Sequence, residues 1–328
     1  MEVGATVSQA DCPSADGAGM PPHTWSQVAA EKFLVRRGPH YSKHKLKSPS
    51  SGSFYELRAM DWYKSTSKVD GVARRLAASG LPEAEFSHPS VPSLLVVNVQ
   101  LPLEAPQVFK GAKLDGPTLH AVFYFTLKEE TAKALQDLDS AEPSVRLLAG
   151  YFRRAEKDPA VRTRFKAIAV VNNQEVINMA RLITPFNGKP VLITESGSLL
   201  RGNRGPGAAE QGTTGSVPGE GSGDGGGDGG RGGTNGSGGG GSGARPDGGG
   251  ESVSSFGADD FLELDIHVRR WNFMARKGLN KLSPKFGLIN VSVAFLVEGR
   301  GDAELPEQVL GCATLNCFDV AKAREIDP

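Results

Sequence analysis

From Leu262 to Arg269 apolar and polar side chains alternate: Leu262, Leu264, Ile266 and Val268 against Glu263, Asp265, His267 and Arg269. A period of two turns one set to each face of a strand, so residues 261–268 are expected to be apolar on one side and wet or helix-covered on the other. Ile289, Val291, Val293, Phe295 and Val297 repeat the pattern, with Asn290 and Ser292 opposite. A third strand is predicted after Pro306, over residues 309–318. Between the first two, residues 271–282 are long enough for about three helical turns.

Upstream, residues 54–63 predict a strand. Residues 94–101 (LLVVNVQL) and 119–127 (LHAVFYFTL) are compact apolar runs of the kind found in buried strands. Residues 68–79 predict a short helix carrying Val69, Val72, Ala73 and Leu76, and residues 128–138 a short charged one. A further helix over residues 144–156, started by Pro143 and Ser144, sets Leu147, Leu148, Tyr151 and Phe152 on one side. Strands at residues 165–171 and 190–194 flank a helical turn around residues 176–182. Strands, helices and strands without regular alternation predict an α+β fold, with a largely antiparallel sheet packed against helices. One arrangement of such elements is the START-like helix-grip, a curved sheet wrapped around a helix. There Leu262, Leu264, Ile266, Val291, Val293 and Phe295 face inward, either as close-packed core or as the lining of a lipid-sized cavity.

Composition divides the chain. Of its 42 glycines, 24 fall within residues 201–250, a stretch whose hydrophobic residues are Ala208, Ala209, Val217 and Ala244 alone. Such a stretch buries too little apolar surface to offset its ordering entropy, so it is expected to be a disordered insertion. Residues 1–24, rich in Ser, Ala, Gly, Pro and Asp, are expected to be a disordered tail. Residues 25–200 and 251–328 then make one domain split by the insertion. A formal net charge of zero argues against bulk electrostatic binding of nucleic acid. Three cysteines, Cys12, Cys312 and Cys317, suit a reducing compartment, with Cys312 and Cys317 as buried or half-buried thiols. With no signal peptide and no long apolar run, the expectation is a cytoplasmic protein without a transmembrane segment, peripheral at intracellular membranes if it meets them.

The blocks FLVRRGPHYSKHKLKSPSSGSFYELRAMDWYKS, SLLVVNVQLP, TRFKAIAVVNN, NGKPVLI, FLELDIHV and ELPEQVLGCATLN carry a family resemblance. In this order the chain resembles the C-terminal domain of the plant enhanced-disease-resistance-two proteins, from residue 25 to about residue 320 outside the glycine tract. In those proteins the domain commonly follows a pleckstrin-homology and a START lipid-binding module. The resemblance implies an association with lipids and membranes, and it supplies no catalytic residues. Family members usually join the strand ending near Thr194 to the strand at residues 261–268 by a short connection, and here the glycine tract fills that place.

Motifs for chemistry are sparse. His40 and His44 sit four apart, but Gly38-Pro39 argues against a helix there and no further ligand completes a metal site. The phosphate-loop, GxSxG and HExxH patterns are absent. Neither an enzyme nor a cofactor is expected, although an enzyme of unknown type stays open. Two basic clusters remain. Arg36, Arg37, Lys43, Lys45 and Lys47 lie near Phe33 and Tyr41, and Arg164 and Lys166 follow the helix at residues 144–156. They are candidates for binding the head groups of anionic membrane lipid, or are solvated faces paired with local acids. The expected function is thus a non-catalytic lipid-associated or membrane-surface domain, with a protein–protein interaction module as the alternative.

Overall fold

The alternating runs become central strands of two sheets. The structure, a computed structural model, describes residues 2–11, 17, 19–107, 113–177, 187–192, 197–204 and 255–328. Its strands are β1 (Ser8–Gln9), β2 (Thr24–Ser26), β3 (Leu34–Arg36), β4 (Lys47–Pro49), β5 (Tyr55–Ser65), β6 (Leu94–Pro102) and β7 (Thr118–Leu127). These continue as β8 (Phe165–Val171), β9 (Val191–Leu192), β10 (Ser198–Asn203), β11 (Asp260–His267), β12 (Asn290–Val297), β13 (Val309–Asn316) and β14 (Arg324–Glu325). The helices are α1 (Tyr41–His44), α2 (Val72–Leu76), α3 (Glu129–Ala134), α4 (Pro143–Arg154), α5 (Pro159–Arg162), α6 (Gln174–Ile177) and α7 (Phe273–Leu282). Of the helical turn expected around residues 176–182, residues 176 and 177 fall at the end of α6, and the expectation for the others lies outside the described residues.

One sheet has the order β1-β2-β13-β12-β8-β9, the other β10-β11-β6-β7-β5-β14, and β3 and β4 form a separate hairpin. Pairing is mostly antiparallel, so the α+β class holds. Parallel pairs join β1 to β2, β6 to β11 and β5 to β14. The two large sheets share one core. Leu95, Val97, Phe123, Phe125, Leu262, Leu264 and Ile266 come from one, Phe165, Phe295, Val297, Leu310 and Leu315 from the other, and α4 adds Leu147, Leu148, Tyr151 and Phe152. Phe295 stands 5.4 Å and 6.0 Å edge-on from the rings of Phe123 and Phe125, and 5.9 Å stacked from Phe165. Gly311 admits this approach, because a Cβ there would meet the Phe125 ring at 2.5 Å. The core lies between two sheets rather than inside one curved sheet gripping a long helix, so the START-like layout is not what the structure presents.

Two expectations about disorder need correction. Within residues 1–24, Ser8–Gln9 pairs with Thr24 and Trp25, and Val7 and Met20 are buried. Two residues are too few to show a period, which is why composition alone suggested a tail. The insertion also starts later than residue 201. Ser198–Asn203 pairs antiparallel with β11 from Asp265 back to Asp260, and Arg204 N donates to Asp259 O at 2.9 Å. The rest of the glycine tract lies outside the described residues. Strands from beyond it occupy interior positions in both sheets: β11 beside β6, and β12 beside β8.

Because β10 and β11 are hydrogen-bonded neighbours, the segment joining them closes a loop between adjacent points. Closure entropy changes by roughly 0.6 kcal/mol per doubling of loop length. Replacing residues 205–254 by about six Gly/Ser residues is therefore expected to change stability by about 2 kcal/mol at most, in the stabilising direction. Urea unfolding measures this, and a shortened chain that fails to fold would show that the tract takes part in the fold.

Candidate functional site

The first basic cluster is carried on the β3–β4 hairpin. Alternation fixes its orientation: Phe33 and Val35 are buried against Ile168, Ala294, Leu296 and Val309 on the outer face of the first sheet, and Leu34 points away, 53% exposed. The pairs Leu34–Pro49, Val35–Ser48 and Arg36–Lys47 hold the arms, and Arg37 N donates to Leu46 O at 3.0 Å. The tip is α1, with His40 and Lys45 in the left-handed region at its two ends. His40 N donates to Asp302 at 2.8 Å and ties the tip to the loop after β12. Arg37, Lys43, Lys45, Lys47 and Leu46 are exposed. Among the described residues none of these four cations forms an ion pair. Lys45 and Arg36 instead lie against the Tyr41 ring, 5.5 Å and 5.0 Å from its centre.

Arg36 belongs elsewhere in character, and the structure joins it to Arg164 and Lys166. Arg36 contacts Glu298 at 2.6 Å and Glu307 at 3.7 Å, Arg164 contacts Glu304 at 2.6 Å, and Lys166 contacts Glu307 at 2.7 Å. Lys166 and Glu307 are almost wholly buried. Burial lowers the Lys166 pKa, and the facing carboxylate acts against that shift. Arg164 is buried too and also donates to Glu298 O. Arg164, just before β8, and Lys166, on it, therefore spend their charge on carboxylates from the β12–β13 connection, and neither reaches a surface. Glu298, Glu304 and Glu307 lie more than a hundred residues from β8, so local charge patterning could not reveal them.

Leu262, Leu264, Ile266 and Phe295 are buried in the core shared by the two sheets, and Val291 and Val293 pack against it. Cys312 is buried with its Sγ donating to Val28 O at 3.3 Å, and Cys317 is half-buried. Burial pushes the Cys312 thiol up to about 12.

The opposite face of β11 holds what sequence reasoning missed. Glu263, Asp265 and His267 are buried under the segment that contains α2. Ala73 N donates to Glu263 at 2.9 Å and Gly71 N to Asp265 at 3.2 Å. Asn98 Nδ2 donates to Asp265 at 2.7 Å, and Ser198 Oγ to its other oxygen at 3.1 Å. His120 lies between Asn98 Oδ1 at 3.1 Å and Ser65 Oγ at 3.0 Å, and His267 Nε2 lies 2.8 Å from Asp70. Burial raises Asp265 to about 6, helped by the charge of Asp70, and it lowers His120 to about 4. Burial would raise Asp70 as well, but hydrogen bonds from His267, Lys68 and Gln100 hold its carboxyl well below the usual range. The network fastens α2 to the sheet by main-chain donors.

Among the described residues no helix is long and apolar enough to cross a membrane. No solved structure matches the chain. The family model for the C-terminal part of the protein ENHANCED DISEASE RESISTANCE 2 matches residues 25–200 and 249–319, which is most of the chain and passes over the glycine tract. The chain belongs to the ENHANCED DISEASE RESISTANCE 2 C-terminal family.

Proposed function

We propose that this domain docks non-catalytically on anionic membrane surfaces through the tip of the β3–β4 hairpin. The observation that carries the proposal is the combination at that tip. Arg37, Lys43, Lys45 and Lys47 are exposed without carboxylate partners among the described residues, and Leu34 and Leu46 are exposed at 53% and 52% beside them. A basic residue near an anionic bilayer contributes about 1 kcal/mol, and apolar side chains add their own transfer energy at the interface. Phe33 and Val35 hold the hairpin rigidly from the other side, so docking needs little ordering of the protein. The anionic cytoplasmic leaflet is the natural surface for such a patch, which supports reading the domain as a peripheral cytoplasmic protein. A lipid held between the sheets has less support, since the six apolar residues named for it pack among aromatic rings.

Sedimentation with phosphatidylcholine vesicles, with and without phosphatidylserine, tests docking. The intact chain is expected to bind only the anionic vesicles, and more weakly as salt rises. Losing two charges in K43A/K45A should weaken binding roughly 30-fold. Equal affinity of the intact chain for both vesicle types at low salt would overturn the proposal and favour a protein partner for this tip.

A further inference from the structure

Strands β6 and β11 are parallel neighbours, so their carboxyl ends at Pro102 and His267 emerge at the same edge of the second sheet. From there the connections part: β6 continues into residues 103–107, and β11 turns through Val268–Arg270 into α7. Crevices where connections diverge at the carboxyl ends of parallel strands are recurrent ligand positions. Here the crevice is a pocket of about 400 Å³, with Glu104, Gln107, Lys113, Arg269 and Arg276 among its lining residues.

Its charge is unbalanced: three cations face one carboxylate. Glu104 is shared between Lys113 at 2.9 Å and Arg269 at 3.1 Å. Arg269 also donates to Pro117 O at 2.6 Å, which fixes its guanidinium at 7% residue exposure. Arg276 forms no ion pair among the described residues, and no acidic residue occurs between Asp265 and Glu298 to supply one locally. The Nε atoms of both Arg269 and Arg276 are buried without an acceptor among the described residues. Neither Nε reaches solvent, so what addresses the open pocket is the unbalanced charge of Lys113, Arg269 and Arg276 on its wall, and that charge calls for an acceptor-rich anion.

We infer that this pocket binds a phosphomonoester, on a free small molecule or on a lipid head group. A phosphomonoester brings close to two negative charges and three acceptor oxygens, and the planar guanidinium fork matches that geometry. The volume leaves room for a glycerol- or sugar-sized body beside the phosphate. The site lies on the second sheet and is separate from the hairpin, which packs on the first.

Calorimetric titration of the full chain with glycerol 3-phosphate and inorganic phosphate, alongside vesicles containing phosphatidic acid, tests the site. Saturable binding of glycerol 3-phosphate, weakened at least tenfold in Arg276→Gln and unchanged in K43A/K45A, assigns it to a free phosphomonoester. Binding to phosphatidic acid vesicles that persists in K43A/K45A, with none to glycerol 3-phosphate, and that is lost when Arg276→Gln is added to K43A/K45A assigns it to a head group. If Arg276→Gln does not fold by circular dichroism, Lys113→Gln replaces it with the same expectations. No saturable binding of glycerol 3-phosphate or inorganic phosphate together with no phosphatidic acid binding by K43A/K45A, or binding that the folded pocket substitution leaves undiminished in the K43A/K45A background, overturns the inference.

Discussion

Lys166→Met is expected to destabilise the protein by about 3–5 kcal/mol, the usual consequence of removing one partner from a buried ion pair. Its Nζ sits 2.7 Å from Glu307, and both side chains are almost fully withdrawn from solvent. Methionine fills the space of the lysine stem but leaves Glu307 with Gly299 N at 2.9 Å, Arg36 N at 3.1 Å and a distant Arg36 guanidinium. Those donors cannot replace the ammonium, so the desolvation cost of the carboxylate is left uncompensated. The double variant K166M/E307Q removes the stranded charge and is expected to recover much of the loss. Urea unfolding at constant m-value measures both. A single variant within about 1 kcal/mol of the parent would show that water reaches this pair. Lipid binding by a folded Lys166 variant should be unaltered, because its charge is spent internally.

The second large effect is on pH dependence. His120, lowered by burial from 6.5 to about 4, contributes stability that is complete above pH 6.5 and lost as pH falls through about 4. Asp265, raised from 3.8 to about 6 by burial and then by Asp70, contributes the reverse: stability complete below pH 3.8 and lost as pH rises through about 6. Each is worth on the order of 3 kcal/mol, and across pH 4 to 6 they oppose one another. Asp265→Asn leaves the His120 contribution unopposed. Its cost relative to the parent should shrink by about 3 kcal/mol between pH 4 and 7, while that of His120→Asn should grow by a similar amount. Glu263 is pushed up by burial and then by the charge of Asp265, so the asparagine relieves it with the same sign. Unfolding free energies at several pH values decide the matter, and variant curves that run parallel to the parent curve would refute this account.

The strands were legible where one face is apolar. Leu262, Leu264 and Ile266 announced the inner face of β11, and the run LHAVFYFTL announced β7, every residue of which is buried. The polar face of β11 was not legible, because alternation looks the same whether Glu263 and Asp265 meet water or the main-chain N–H groups of Ala73 and Gly71. A usable signal existed in Asn98, Gln100 and His120, polar residues set inside otherwise apolar runs. Side chains of that kind in a buried strand need partners: Asp265 accepts from Asn98, Asp70 from Gln100, and His120 lies between Asn98 and Ser65. The hairpin charges were legible as a cluster, since residues 36–47 contain no acid. The fates of Arg36 and Lys166 were not, because Glu307 lies 271 and 141 residues away from them.

The parallel pairing of β6 with β11 also bears on synthesis at the ribosome. Until residues 260–316 have emerged, β6 lacks one neighbour and β8 lacks the strand that joins it to β13. A nascent chain that has completed its first 200 residues therefore carries open strand edges on β2, β5, β6 and β8 and the apolar faces of Phe123, Phe125 and Phe165, and it must wait for residues 260–325 to cover them. Exposed edges of this sort template intermolecular pairing, so the vulnerable product is the C-terminally truncated chain, a natural client for holdase chaperones.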